Sequence, residues 1–160
     1  MERLWAPWRG VYVSNTGSEP GCFLCAAASA ADDNELLVGH DAATVTLLNR
    51  YPYNTGHLMV APRLHVPDLL AAGDDGAAAL MVAARRAMRA LQLAMSPDGF
   101  NVGVNHGRAA GASVEHVHLH VVPRWSGDTN YMPVIGGTKV LPELLTETAS
   151  RLRRALATFE

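Results

Sequence analysis

The sequence predicts an α+β domain with a mainly antiparallel sheet of about five strands, one long central helix and a C-terminal helix. Three observations lead to this fold class. Short runs of β-branched and aliphatic residues, bounded by Gly, Pro and Asn, occur in both halves of the chain. One long stretch of helical periodicity, residues 68–95, separates the two groups of strands. Because 160 residues are too few for two ordinary domains, we expect residues 1–160 to form a single domain.

The strands are recognised by their alternation and by the residues that end them. The first two are joined around Gly39 to Asp41, the third ends at Pro62 and the fifth ends at Pro123. A glycine-rich turn, residues 106–112, connects the fourth strand to the fifth and predicts a hairpin. The five predicted strands are residues 35–40, 42–49, 57–62, 100–105 and 113–123.

Two helices are predicted on either side of the hairpin. In residues 68–95 apolar residues recur at helical spacing, and three arginines are available for the outer face. Three methionines in this helix could form a soft binding stripe, but their heptad-like spacing favours packing in the core. The second helix is predicted over residues 141–159, within a C-terminal loop and helix that together span residues 126–160.

Composition and charge exclude several classes of partner. The formal net charge is −2 with both signs interspersed, so the sequence predicts neither nucleic-acid binding nor a polybasic membrane patch. Apolar runs of about 20 residues, as a membrane span requires, are absent from the sequence. The start MERLWAPWRG has neither the apolar stretch nor the cleavage site of a signal peptide, so we expect a cytoplasmic protein without membrane partners.

The two cysteines lie in the N-terminal arm, residues 1–25, whose tryptophans we expect to pack against a surface. Cys22 and Cys25 form a Cys-x-x-Cys pair, which in a chain of this kind indicates a metal half-site or a redox pair more than a structural disulfide. A thioredoxin-like βαβ unit does not surround the pair. A tetrahedral zinc site would need two further ligands, for which the seven histidines are candidates. The alternative is a pair of reduced, buried thiols. A short helix or loop is expected at residues 26–34.

Three histidines alternate in the fifth predicted strand, at His116, His118 and His120. Side chains on a strand alternate between faces, so the three imidazoles would line one face about 6–7 Å apart while aliphatic residues point to the other. The alternative is three core histidines with satisfied hydrogen bonds. Strict alternation argues against it, because imidazoles are costly to bury without partners. The pattern therefore predicts a polar face that binds a ligand.

The segment SVEHVHLHVV, residues 113–122, resembles the signature of the histidine triad (HIT) superfamily. The segments YPYNTGHLMVAPRLHV and GFNVGVNHGRAAGAS are similar to neighbouring parts of that family, so the resemblance covers most of the chain and implies a HIT-like fold. Four further segments are similar to the bacterial branch of the family described as diadenosine tetraphosphate hydrolases or phosphorylases. They are LWAPWR, GCFLC, VVPRW and GDTNYMPVIGGTKVLPELL.

The resemblance implies nucleotidyl transfer at an α-phosphate through a nucleotidyl-histidine. His118 matches the nucleophile, His120 matches a donor to a non-bridging phosphate oxygen, and His57 matches a fourth histidine that shapes the same pocket. The chemistry of imidazole agrees, since a neutral ring is a good nucleophile near pH 7 and covalent catalysis divides one displacement into two easier ones.

The resemblance also implies nucleotide-binding positions around the triad. Asn105, Gly111 and Ser113 in the glycine-rich turn match positions that reach the phosphate or leaving group, and Asn49 matches a position that holds the ribose hydroxyls. The glycines would let the backbone approach an anion closely. For the two asparagines and the serine, ordinary turn and loop capping is the alternative explanation.

In zinc-containing members of the family the first histidine of the triad is a metal ligand. Cys22, Cys25, His65 and His116 match that pattern, which implies a structural Zn²⁺ site with no open coordination position. The resemblance implies no organic cofactor.

The leading functional prediction is an enzyme that cleaves a phosphoanhydride of a dinucleoside polyphosphate, with adenosine nucleotides as substrates. One alternative is an adenosine phosphoramidate hydrolase, which cleaves a P–N bond with the same nucleophile. Another is a nucleotide sensor with negligible turnover. Whether water or phosphate accepts the nucleotidyl group stays open, and the family resemblance implies a homodimer.

Overall fold

In the part of the chain that the structure describes, five strands form one antiparallel sheet. The computed structural model describes residues 21–29, 34–128 and 141–159. The predictions for most of the N-terminal arm and for the loop at residues 129–140 lie outside the described residues. The strands are β1 Leu37–His40, β2 Thr44–Leu48, β3 Leu58–Pro62, β4 Gly99–Val104 and β5 Leu119–Arg124. They lie side by side in the order β1-β2-β3-β5-β4. The predicted α+β class, the five antiparallel strands and the β4–β5 hairpin are confirmed.

Helices cover both faces of the sheet. The larger core lies under α2 (Leu69–Met95) and α3 (Leu145–Leu156), where the inward residues of β3 and β5 meet the alanine and leucine face of α2. On the opposite face, α1 (Phe23–Ser29) packs Leu24 and Ala27 against β2 and β3. This second, smaller core brings the Cys-x-x-Cys segment onto the sheet. No helix in the described ranges is long and apolar enough to cross a membrane.

The long helix α2 agrees closely with its prediction. Asp68 caps its start by accepting a hydrogen bond from the backbone N–H of Ala71 at 2.9 Å, and Ser96 ends it in the left-handed conformation. Gly73, with φ of 66°, interrupts the helical conformation and separates the first turn from the rest. Of the three methionines, Met81 is exposed, so the prediction that it packs in the core is wrong.

The fifth strand is shorter than its prediction. The prediction of strand over residues 113–123 holds only in its second half, because β5 begins at Leu119. The pairing of β5 with β3 ends where Val60 lies opposite Leu119. Pro62, two residues further along β3, has no N–H to donate, and its carbonyl accepts from the ring of His116 at 2.9 Å instead. His116 and His118 therefore lie in an irregular segment just before the strand.

Two helix boundaries also differ from the prediction. Helix α3 begins at Leu145 and not at residue 141, because Leu141 precedes a proline and such residues disfavour the helical conformation. It continues into a 3₁₀ turn, Ala157–Phe159. At the other end of the chain α1 begins at Phe23, so Cys25 lies inside a helix.

Candidate active site and metal cluster

His118 is held in one tautomer by the backbone that precedes it. Its side chain is buried, with only 8% of the residue exposed, and its Nδ1 lies 2.9 Å from the carbonyl oxygen of His116. A carbonyl oxygen can only accept a hydrogen bond, so Nδ1 carries the proton. In the neutral ring the lone pair is then on Nε2, which is the form that can attack an electrophile.

His57 and His120 are linked, and a backbone amide sets the tautomer of both. The N–H of Tyr53 donates to Nδ1 of His57 at 3.0 Å. An amide N–H can only donate, so this ring nitrogen is unprotonated, or bare, and the proton of neutral His57 is on Nε2. That Nε2 lies 2.9 Å from Nδ1 of His120 and donates to it. His120 consequently carries its own proton on Nε2.

The resulting donor on His120 has no partner within the described residues. Its Nε2 is buried and makes no hydrogen bond there. A buried donor without an acceptor is costly, which marks the position as one that an acceptor on a ligand can fill. The rings of His118 and His120 are 4.8 Å apart at their centroids and nearly perpendicular, so the donor and the attacking nitrogen belong to one site.

Burial keeps both of these histidines neutral. Desolvation, with a smaller effect from the neighbouring His118, lowers the pKa of His120 to about 4. Desolvation also lowers the pKa of His118 below its ordinary value of 6.5, although the bond to the carbonyl of His116 acts in the opposite direction. At neutral pH the site therefore presents one bare nitrogen and one N–H donor.

Tyr53 is a member of this site that the sequence analysis missed. Its ring stacks on His57 with centroids 4.7 Å apart and lies 5.8 Å from the ring of His120. Its more direct contribution is a backbone N–H, which any residue except proline would supply. The tyrosine in the segment YPYNTG was visible in the sequence, but its role as a donor to His57 was not.

Asn49, one of the predicted nucleotide-binding residues, makes hydrogen bonds to the backbone of His57 and of Tyr51. Asn49 is buried, its N–H donates to the carbonyl of His57 and its Oδ1 accepts from the N–H of Tyr51, both at 2.9 Å. These are loop-capping contacts, which agree with the structural alternative for Asn49, and its role toward ribose stays a prediction.

The glycine-rich turn is brought to the nucleophile by the register of the hairpin. Val104 pairs with Leu119, so Asn105 follows at the end of β4 on the side where His118 precedes β5. Asn105 Nδ2 donates to the carbonyl of Gly111 at 3.3 Å, and Gly111 has φ of 93°, a conformation that favours glycine. Ser113 follows this turn and is half-buried. Their contacts with phosphate stay a prediction.

A second cluster joins the four residues predicted to bind metal. Cys22, Cys25, His65 and His116 each offer one ligand atom, and these atoms all lie within 4.8 Å of one another. Nδ1 of His116 is 3.2 Å from Sγ of Cys22, and Nδ1 of His65 is 3.2 Å from Sγ of Cys25. The edges of a tetrahedron of zinc ligands are roughly 3.4–3.8 Å, so the donor set fits a four-coordinate ion.

Hydrogen bonding prepares His116 for this role. Its ring is fully buried, and Nε2–H donates to the carbonyl of Pro62 at 2.9 Å, which leaves Nδ1 bare and directed at the thiols. Burial raises the pKa of Cys25, and the neighbouring Cys22 raises it further, so the apo cluster disfavours thiolate. A divalent cation has the opposite effect because it deprotonates the thiols that coordinate it.

Seven of the predicted site residues thus form two groups, which meet at the peptide between His116 and Val117. His57, His118 and His120 form the first group, and the cysteines with His65 and His116 form the second. Of the remaining histidines, His40 and His106 are exposed, and neither belongs to these groups.

Comparison with known proteins agrees with this arrangement. Residues 31–127 match the HIT domain family. An AP-4-A phosphorylase of Mycobacterium tuberculosis is 41% identical over 167 aligned positions that cover 99% of this chain and 84% of that protein. The crystal structure of a Zn-bound histidine triad family protein from Mycobacterium smegmatis has a TM-score of 0.73 and 31% identity, with 87% of this chain and 95% of that chain covered. A HIT family member from Bacillus subtilis has a TM-score of 0.62 and 25% identity, with 87% and 96% covered.

These similarities confirm the HIT-like fold and the family predicted from the alternating histidines. Because the family match covers more than half of the chain and the phosphorylase matches nearly all of it, the chain belongs to the HIT domain family and is a HIT-type enzyme.

Proposed function

We propose that this protein transfers a nucleotidyl group from a dinucleoside polyphosphate, through a covalent intermediate on His118, to inorganic phosphate. The observation that carries the proposal is the pairing of a bare Nε2 on His118 with an Nε2–H donor on His120 that has no partner among the described residues. Adenosine is the expected base, and diadenosine tetraphosphate the expected substrate, because a phosphorylase of that name is 41% identical to this chain.

In the first step the lone pair of His118 Nε2 attacks the α-phosphorus of the substrate. A P–N bond forms, the P–O bond to the remaining phosphates breaks, and ATP leaves with the bonding electrons. His120 Nε2–H donates to a phosphate oxygen as negative charge develops there, and a donor of this kind is worth about 10²–10³ in rate. His57 keeps that donor in place by holding the opposite nitrogen of the ring.

In the second step an oxygen of inorganic phosphate attacks the same phosphorus. The P–N bond breaks, its electrons return to His118 Nε2, and ADP is formed. Water in place of phosphate would give AMP. Phosphorolysis is preferred because the relative that aligns with 99% of this chain is named a phosphorylase.

The test is incubation of the purified protein with diadenosine tetraphosphate, with and without inorganic phosphate, followed by chromatography of the products. We expect ADP and ATP only when phosphate is present. AMP and ATP without phosphate would make the protein a hydrolase. If the dinucleotide is inert, cleavage of adenosine 5′-phosphoramidate would support the phosphoramidase alternative, and inertness to both would support a sensor.

The same proposal assigns structural zinc to Cys22, Cys25, His65 and His116. The fit of four soft and borderline donors supports it, as does the Zn-bound relative from Mycobacterium smegmatis. All four protein ligands would be used, so the ion would fasten α1 to the segment before β5 and take no part in phosphoryl transfer. Metal analysis of the purified protein should give about one zinc per chain.

Two further expectations complete the proposal. A homodimer is tested by light scattering after size-exclusion chromatography, and a monomer at micromolar concentration would contradict it. A cytoplasmic location is tested by fractionation of the producing cells. Neither outcome changes the chemistry assigned to His118.

A further inference from the structure

A largely buried carboxylate lies in the segment that follows β5. Asp128 has only 11% of its side chain exposed, and its carboxylate accepts hydrogen bonds from Asn54, Arg124 and Trp125. Its Oδ2 accepts from Nδ2 of Asn54 at 2.7 Å and from the N–H of Trp125 at 3.1 Å, and its Oδ1 accepts from Arg124 at 2.7 Å. Carboxylates with charged and amide donors of this kind make strong, well-oriented bonds.

Asn54 connects this carboxylate to the histidines. Its side-chain amide donates both to Asp128 and to the carbonyl of Pro123, which ties the loop before β3 to the end of β5. The backbone carbonyl of the same residue accepts from the N–H of His57 at 3.1 Å. The residue before it, Tyr53, supplies the N–H that holds Nδ1 of His57.

A connected path of hydrogen bonds and covalent backbone therefore runs from the carboxylate to the candidate active site. It passes through the amide of Asn54 and the turn of residues 53–57 to the ring of His57, and then to Nδ1 of His120. Every hydrogen bond along this path has a defined donor. The backbone N–H of Tyr53 fixes the direction of its own bond to His57 and therefore of the bond from His57 to His120. If the turn moves, the Tyr53 amide leaves Nδ1 of His57 and both imidazoles can exchange tautomers.

We propose that Asp128 is a positioning residue for the nucleotidyl-transfer site, which acts by fixing the turn that sets the tautomers of His57 and His120. The kinetic part of this inference rests on the proposed function, whereas the tautomeric part does not. The described contacts connect Asp128 to the two imidazoles through Asn54 and the turn, and this is the route by which we expect it to act.

The test compares Asp128→Asn with a matched control, Asp98→Asn. The control residue also anchors the segment after β5, by accepting from the N–H of Ser126 at 2.7 Å, but its side-chain contact is with Ser126 and not with Asn54. Long-range ¹H–¹⁵N correlation spectra distinguish protonated from bare ring nitrogens and report the tautomer of each histidine without any substrate.

We expect the spectrum of Asp128→Asn to show His120 as a mixture of tautomers, and that of Asp98→Asn to match the wild type. The kcat of Asp128→Asn should fall about tenfold to a hundredfold with little change in KM, since small misplacements of catalytic groups cost that much. A folded Asp128→Asn variant with wild-type histidine tautomers would overturn the proposal.

A second variant keeps the test decisive if Asp128→Asn does not fold. Asn54→Asp preserves the shape of the side chain but replaces the amide donor with an oxygen that repels Asp128. It should produce the same change of tautomers, and unchanged tautomers in this variant would likewise overturn the proposal. If the tautomers change as expected while wild-type protein turns over no nucleotide, the proposed function fails and the positioning role stands.

Discussion

His118 donates from Nδ1 to the carbonyl oxygen of His116 at 2.9 Å, while the ring of His116 lies 3.2 Å from Sγ of Cys22. His116 thus holds the candidate nucleophile with its backbone and belongs to the candidate metal cluster with its side chain. The next peptide is fixed as well, because the N–H of Val117 donates to the carbonyl of Val66, the neighbour of His65, at 2.8 Å. The metal cluster and the nucleophile therefore share one anchored segment.

Replacing the candidate nucleophile should abolish turnover without unfolding the protein. In His118→Ala the attacking nitrogen is lost, so we expect kcat with diadenosine tetraphosphate to fall by about a thousandfold or more. Circular dichroism and the thermal midpoint should stay close to those of the wild type. His40→Gln, a change at the exposed end of β1, is the control and should retain full activity. A fully active His118→Ala variant would refute the mechanism.

Loss of the metal cluster should first appear as loss of stability. His116→Ala removes a fully buried ligand, and we expect about 3 kcal/mol or more of destabilisation, or a fall in Tm of roughly 10 °C. Zinc content should fall in parallel. Cys22→Ser tests the same site with a smaller packing defect, since the residue is only partly buried. Wild-type Tm and zinc content in both variants would contradict the assignment.

Chelation tests whether the proposed zinc affects both the stability of the fold and the position of His118. Stripping the metal from wild-type protein should lower Tm and broaden or shift the ¹⁵N signals of His118, because the segment that carries its acceptor carbonyl is no longer tied to α1. Restoring zinc should reverse both changes. An apo protein with an unaltered His118 signal would show that the carbonyl of His116 is held by the fold alone.

The residues with distinctive side-chain chemistry could be predicted from the sequence. The alternating histidines and the Cys-x-x-Cys pair stand out because few side chains ligate metals or attack phosphorus, and their spacing is visible in the sequence. The family resemblance then related His57 to His120 and His65 to the cysteines, and these residues lie together in the structure. Strand and helix periodicity also located the sheet and α2, because both patterns reflect which residues are buried.

Backbone donors and distant pairs could not be predicted in the same way. The amide of Tyr53 and the carbonyl of Pro62 set histidine tautomers, yet every residue type has a carbonyl and nearly every type has an amide N–H. Asp128 and Asn54 are separated by 74 positions in the chain and meet only because β3 and β5 are neighbours in the sheet. The late start of β5, one residue after His118, likewise depends on the tertiary contact between His116 and the carbonyl of Pro62.

The role of His57 can be separated from that of an ordinary buried residue. In His57→Ala the donor to His120 Nδ1 is lost, and we expect kcat to fall about 10²-fold to 10³-fold, the cost of one misplaced transition-state donor. His57→Gln supplies an amide donor near the position of Nε2 and should recover part of that loss. Equal activity of the two variants would show that the hydrogen bond is unimportant. The ¹⁵N signals of His120 should follow the same order as kcat.

Acid should weaken the fold through the buried histidines before it titrates the carboxylates. The pKa of His120 is lowered to about 4 in the folded protein, whereas in the unfolded chain it is about 6.5. Below pH 6.5 the unfolded state therefore binds more protons, and stability falls as the pH drops toward 4 and then levels off for this group. Urea unfolding at pH 7 and pH 5 should show the loss, and His120→Gln should show a smaller one.

Burial also lowers the pKa of His118, so the acid limb of kcat/KM should lie below pH 6.5. An acid limb above pH 6.5 would mean that His118 is not the group whose neutral form attacks.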